Sequence, residues 1–219
     1  MNMDFWRQMD LVMPDDFNKY NVTIIGVGGI GSPTALALSK MGVEKITVYD
    51  DDMVEKHNLP NQMYRIIDLD KPKVEGTSDI CKDFSGLTIK ACKEKFEKQS
   101  INGIVISGVD TMKSRSDIWK RMKYNPMVNL YIDARMGAEV CLICAVKPCD
   151  PDDIKWYEKT LFTDDKASEE PCTAKSIIYN TFTIAGLISS QVKKFVKAQQ
   201  FPREIIFDLK TLTFISNLK

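Results

Sequence analysis

The stretch from Val22 to Gly42, VTIIGVGGIGSPTALALSKMG, decides the architecture. A β-branched run, Val22 to Ile25, leads into glycines at 26, 28 and 31, with Gly29 as a further residue lacking a side chain. A helical pattern from about Ser32 to Met41 comes next, and Gly42 stands where a C′ glycine stops a helix. Glycines at this spacing let the chain turn sharply, bring backbone N–H groups close to an anion, and pack helix on strand. The helix N-terminus adds free N–H groups and a partial positive charge. Asp50 ends the next strand, EKITVYD, about twenty residues on, where a carboxylate grips ribose hydroxyls. The loop has no Gly-Lys-Ser/Thr, so this is a nucleotide loop but not a Walker-type one.

Outward from this unit, strands and helices alternate. KPKVEGTSDICKDF starts a helix near Pro72, LTIKACKEKF offers a short strand, and GIVISGVD is an apolar run ending at Asp110. SRSDIWKRMKY is helical, and MVNLYIDARMG and AEVCLICAVKP are two further strands. The acidic segment from 149 to 172 has no steady period and reads as a structureless crossover-type loop. A long, mostly apolar helix with a candidate break at Gly186 comes next, and residues 203–219 form a hairpin turning at Asp208 to Thr211. The pattern predicts one domain over 1–219. It is a doubly wound, Rossmann-like α/β sheet, parallel in its first half and mixed or antiparallel in its second, preceded by an N-terminal helical arm over 1–20.

The composition is 44% hydrophobic and 27% charged, with 30 basic residues against 30 acidic ones. Such balance gives no electrostatic argument for nucleic acid or a membrane surface. With no apolar run of transmembrane length and no signal-type segment in Met1 to Asp16, a cytoplasmic location is expected. The six cysteines, at 81, 92, 141, 144, 149 and 172, are then free thiols rather than a disulfide framework. Cys141 and Cys144 have the spacing of a zinc half-site. They lie in a strand, which points them to opposite faces, and the chain has no second pair, so zinc is not expected.

The residues after Asp50 separate hydride transfer from activation chemistry. A dehydrogenase needs an evident proton donor, and the one histidine, His57, lies in a polar loop. That loop instead carries Asn58, Asn61, Gln62, Arg65, Lys71 and Lys73, which suit a triphosphate and its metal. Asp110, at the carboxyl edge of the sheet, is placed to hold Mg²⁺ beside those phosphates.

The run GVGGIGS…YDDDMVEKHNLPNQ…KPKVE…GVD, with Arg7-Gln8 ahead of it, resembles the ThiF/MoeB/HesA superfamily of ubiquitin-activating-type adenylating enzymes. The resemblance runs from Arg7 to about Val196. It implies adenylation of the C-terminal carboxylate of a small ubiquitin-like or sulfur-carrier protein or peptide, using ATP and Mg²⁺ and releasing pyrophosphate. It implies a homodimer in which Arg7 enters the partner's site. Position by position, it implies that Gly26, Gly28, Gly29 and Gly31 lie against the phosphates. Asp50 would hold the ribose with Asp52 close by, Asn58 and Lys73 would contact phosphates, and Asp110 would bind magnesium.

One position departs from that pattern. Relatives of the molybdopterin and thiamine type carry Arg-Gln after the Asn-Leu of this loop, whereas this chain has Asn61-Gln62. Arg65 is the candidate to compensate. The alternative is a nucleotide-binding, catalytically impaired partner subunit. Adenylation of a carboxylate on a modified tRNA nucleoside is a further reading, disfavoured by the absence of a basic stretch. Cys172 ends the acidic segment where relatives sometimes carry an acyl-accepting cysteine, and both a thioester role and a packing role stay open. Arg135 is either structural or faces the peptide channel, and Trp156 and Tyr157 either cover a substrate peptide or pin the loop.

Overall fold

The computed structural model describes residues 3–162 and 176–218. Cys172 therefore lies outside the described residues, as does the second half of the expected crossover loop. Eight strands form one sheet: β1 (Val22–Ile25), β2 (Ile46–Tyr49), β3 (Lys90–Cys92), β4 (Gly103–Ser107), β5 (Val128–Gly137), β6 (Val140–Val146), β7 (Glu204–Asp208) and β8 (Thr213–Asn217). Their spatial order is β3-β2-β1-β4-β5-β6-β7-β8. The first five are parallel, and from β5 onward each pair is antiparallel. This is the doubly wound sheet with a mixed second half.

The helices are α1 (Pro14–Phe17), α2 (Gly31–Lys40), α3 (Lys73–Ser85), α4 (Met112–Met122), α5 (Pro151–Glu158) and α6 (Ile178–Val196). Strands buried on both faces read as continuous apolar runs, and successive side chains go to opposite sides. Ile24, Ile104, Ile106, Leu130, Ile132 and Ile143 pack beneath Leu38 of α2, Val74 of α3 and Ile184, Ile188 and Val192 of α6. Ile25, Val105, Tyr131, Cys144 and Val146 pack on the other face against Ile118, Trp119 and Met122 of α4 and Ile154 and Tyr157 of α5.

Two expectations change and one open alternative is resolved. The 149–172 segment opens with a helix, not a loop: Asp150 caps it by accepting from the N–H groups of Asp152 and Asp153, and Pro151 takes the first helical position. Tyr157 of that helix is buried in the core against Trp119 and Tyr131 rather than facing a substrate. Trp156 lies under the Arg203 guanidinium, 4.6 Å away. Helix α6 runs unbroken through Gly186, which sits in open space where a side chain would meet nothing within 4 Å.

The N-terminal arm is a 3₁₀ turn at Trp6–Gln8 followed by the single turn of α1. It docks on the far end of α2: Gln8 Nε2 donates to the Met41 carbonyl at 2.9 Å. Gly42, at φ +93°, leaves room for Pro14 and Phe5, which a Cβ would meet at 2.7 and 3.1 Å.

Candidate nucleotide site

Strand β1 pairs with β2 on one side and β4 on the other, so the connections diverge there, and the crevice outside the carboxyl ends of β1 and β4 is the ligand position of such sheets. The glycine loop opens into it. Gly26, at φ +84°, passes so near the β4 exit that a Cβ would stand 3.1 Å from the Gly108 carbonyl. Its N–H is taken by the Tyr49 carbonyl at 2.8 Å. Gly31 starts α2 against the same loop, where a Cβ would fall 2.0 Å from the Gly26 oxygen. At Gly28 the nearest atom to a Cβ would be Gln62 Nε2 at 3.8 Å, ordinary contact, so the fold leaves this position open. Gly29 is different: a Cβ there would meet Met136 Cε at 3.0 Å and the Asn61 carbonyl at 3.2 Å, so its missing side chain makes room for protein.

Asp50 is wired to the loop. One carboxylate oxygen accepts from the Val27 N–H at 2.8 Å and the other from the Asp52 N–H at 2.9 Å. Burial pushes its pKa up, outweighing those N–H donors and the nearby Lys73 ammonium. Asp52 holds Lys73 at 2.7 Å side chain to side chain, and the Lys73 N–H donates to the Asp52 carbonyl at 2.9 Å. The first residue of α3 is thereby aimed at the end of β2. Carboxylate oxygens of Asp50, Asp51 and Asp52 lie within 4.8 Å of one another, a donor set of the hard-oxygen type that suits Mg²⁺. Asp110 lies in the β4–α4 loop, three residues past the end of β4, and is exposed.

Asn58 is buried, and its side-chain oxygen closes the turn by accepting from the Glu55 N–H at 2.8 Å, leaving the N–H₂ end for other partners. Gln62 brings its side chain to Gly28 and Asn61 its backbone carbonyl to Gly29, and each side chain has a buried amide oxygen with no partner among the described residues. Arg65 does not join them. Its Nε and Nη2 grip the buried Asp68 at 2.9 and 2.8 Å, and Nη1 reaches Asp83. The expected compensating cation is thus a bidentate structural pair. Lys71 is likewise turned to Asp79, at 3.2 Å. His57 is largely exposed beside Glu55.

Arg7 is exposed and lines a surface recess with Phe5, Gln8 and Lys40, the last residue of α2. At 1.5 Å per residue, ten helical residues put that recess roughly 15 Å from the loop at the other end of α2. Within one chain Arg7 and the glycine loop are therefore kept apart.

Several supporting residues were not singled out in the sequence. The Tyr64 hydroxyl donates to the Val27 carbonyl at 2.5 Å and lies 3.2 Å from both the Lys73 carbonyl and Thr77 Oγ1, tying the glycine loop to the start of α3. Asp133 of β5 is completely buried between Arg115, which contacts it, and Arg135 Nε at 2.9 Å. Burial raises its pKa, but the two guanidinium groups outweigh that and hold it below the usual carboxylate range. Arg115 also donates to the Val109 carbonyl, next to Asp110, and Arg135 donates to Thr160 at 2.9 and 3.0 Å. Arg135 is thus structural. The available signal was Asp133 and Arg135 two apart in an apolar strand, hence on one face. Cys141 and Cys144 do face opposite layers of the core and do not converge as a half-site.

Fold and loop together define a doubly wound α/β domain with a glycine loop at its switch point. Comparison with known proteins narrows the class. The model of the ThiF family matches residues 3–218, and the chain belongs to the ThiF family. Among curated relatives, the SAMP-activating enzyme E1 of Haloferax volcanii is 28% identical over 114 residues, which is 50% of this chain and 42% of that protein. The sulfur carrier protein ThiS adenylyltransferase of Escherichia coli is 29% identical over 131 residues, 52% of each. The chain thus aligns with about half or less of these relatives' length. Among solved structures, E. coli MccB with AMPCPP and MccA superimposes with a TM-score of 0.71 at 18% identity, over 94% of this chain and 65% of that one. PaaA matches at the same TM-score of 0.71 and 17% identity, with the same coverage. These two likenesses concern the fold. No helix among the described residues is long and apolar enough to cross a membrane.

Proposed function

We propose that this chain adenylates the C-terminal carboxylate of a small ubiquitin-like or sulfur-carrier protein, or of a peptide, at the expense of ATP. The observation that carries the reading is the joining of the glycine loop, Asp50 and the Asp52-held Lys73 at the carboxyl ends of β1 and β2, with Asp110 in the loop that follows neighbouring β4. The relatives named for SAMP and ThiS support the substrate class. In this reaction a carboxylate oxygen bonds to the α-phosphorus, the bond from that phosphorus to the bridging oxygen breaks, and pyrophosphate leaves. Charge grows on the phosphate oxygens, so positioned donors and cations suffice and no protein nucleophile is required.

Each residue then has a task. The Gly28 backbone and the start of α2 receive phosphate oxygens, and Asp50 accepts from ribose hydroxyls with lone pairs not used by Val27 and Asp52. Lys73 turns from Asp52 toward phosphate. Asp110 offers the oxygens that would hold Mg²⁺, which would supply charge neutralisation at the phosphates. Arg7 acts on the site of a second copy in a homodimer.

Exchange of labelled pyrophosphate into ATP tests this. Exchange should depend on a carrier ending in glycine and fall about a hundredfold or more in Asp110→Ala. Silence with every candidate carrier, with Asp110→Ala binding MgATP as the wild type does, would count against it.

One observation favours a second reading. Asn61 replaces the expected arginine and Arg65 is committed to Asp68, so the loop brings fewer cations to the phosphates. A nucleotide-binding subunit paired with an active protomer would bind ATP yet give no exchange alone. Turnover by the purified chain by itself excludes that reading.

A further inference from the structure

Threonines inside helices usually return their hydroxyl to the carbonyl four residues back. Thr34, Thr77 and Thr183 do so here, at 2.7, 2.9 and 2.9 Å. Thr181, in the first turn of α6, does not. Its side chain is fully buried, and Oγ1 donates across 120 residues of sequence to the Asn61 carbonyl at 2.9 Å. The Asn61 carbonyl also abuts the glycine loop, its oxygen lying 3.2 Å from where a Gly29 Cβ would be. Helix α6, the Asn61–Gln62 loop and the glycine loop thus meet at one peptide group. The side chains flanking that peptide each carry a buried amide oxygen with no partner among the described residues, and Gln62 Nε2 stands 3.8 Å from the Cβ position of Gly28. A buried carboxamide without a partner is a standing cost unless a ligand completes it. A half-turn about its last bond presents N–H₂ instead of oxygen.

We propose that Thr181 is a positioning residue for the nucleotide: it fixes the Asn61–Gln62 peptide so that the Gln62 carboxamide closes over the phosphate side of the Gly28 loop as a neutral donor. This rests on the reading of that loop as an ATP site. Helix α6 becomes a structural wall of the pocket, although no α6 side chain touches the ligand. Because the Gln62 carboxamide lies at Gly28, the effect belongs to the β- and γ-phosphates more than to the adenosine end.

The test is calorimetric binding of MgATP and of AMP to the full chain, comparing wild type, Thr181→Val and Thr181→Ser. Val keeps the shape and removes the hydroxyl, whereas Ser keeps the hydroxyl. Thr181→Val should weaken MgATP about five- to tenfold with AMP within about twofold, and Thr181→Ser should restore MgATP binding. Equal MgATP affinity in wild type and Thr181→Val overturns the clamp alone. So does a parallel loss for both nucleotides with a lowered melting temperature, which marks a general packing role. Wild type that binds neither nucleotide overturns the ATP-site reading itself. Hydrogen exchange on the wild type covers the case in which Thr181→Val does not fold. Saturating MgATP should slow exchange at 178–182 together with 60–63 and leave 190–196 unchanged, and an unresponsive α6 start overturns the proposal.

Discussion

Replacing Arg65 with alanine strips both oxygens of Asp68 of their guanidinium partner, and Asp68 is fully buried whereas Arg65 is one-third exposed. Removing one partner of such a pair costs about 2 kcal/mol here, less than in a fully buried one. Asp68 titrates low: burial raises it, but Arg65 and Lys71 more than compensate. A depressed carboxylate stabilises the fold above its unfolded pKa and loses that contribution as pH falls through the folded value. Arg65→Ala should therefore lower the urea midpoint at neutral pH and narrow its gap to wild type in acid, while MgATP affinity stays within about twofold. A large loss of affinity with unchanged stability would return Arg65 to the phosphates. The arginine's type and its place in the loop were legible in the sequence, but its commitment was not, because Asp83, its second partner, sits on α3 and is brought near only by packing.

At the scale of elements, the glycines of one loop have separable duties. Gly31→Ala drives a methyl to 2.0 Å from the Gly26 backbone, which nothing flexible can relieve. It should destabilise the β1–α2 unit by about 3 kcal/mol or abolish folding, read by denaturant titration. Gly28→Ala meets nothing closer than 3.8 Å, so it should fold as the wild type does and lose nucleotide affinity by about tenfold or more. Equal effects at both positions would show that the crevice is not where phosphate sits. Strand and helix periods, the turn at Asp208 and the stop at Gly42 were readable because each is set by neighbours in sequence. Helix α5 was readable too, in the order Asp150, Pro151, Asp152, Asp153, a capping acid followed by proline and two first-turn acids, yet the acidity of the stretch masked it. The Asp133 cluster was half readable: its in-strand arginine shares a face with it, but Arg115 arrives from another helix.

For the whole molecule, the separation of Arg7 from the glycine loop along α2 makes the site incomplete in one copy if the homodimer reading holds. Arg7→Ala and Asp110→Ala, each inactive in exchange, should then regain about a quarter of wild-type activity when mixed and allowed to reassort. Half the dimers are hybrids, and each hybrid has one intact site. No recovery on mixing, with reassortment verified by mass, removes Arg7 from the partner's site. The doubly wound class of the sheet followed from the alternation of elements, whereas the number of copies needed for a complete site depends on surfaces that pattern alone does not rank.

The sheet also carries its own reporters of opening. Cys141 and Cys144 are three residues apart on β6, one beneath α6 and the other beneath α4 and α5, and burial pushes both thiols up to about 12. Cys149, one turn beyond the strand, is exposed. Alkylation proceeds through the thiolate, so Cys149 should be modified at once, while the other two wait for their own covering layer to lift. Labelling followed by peptide mass then times the loosening of the two faces of the sheet separately, in the native sequence and without a single substitution.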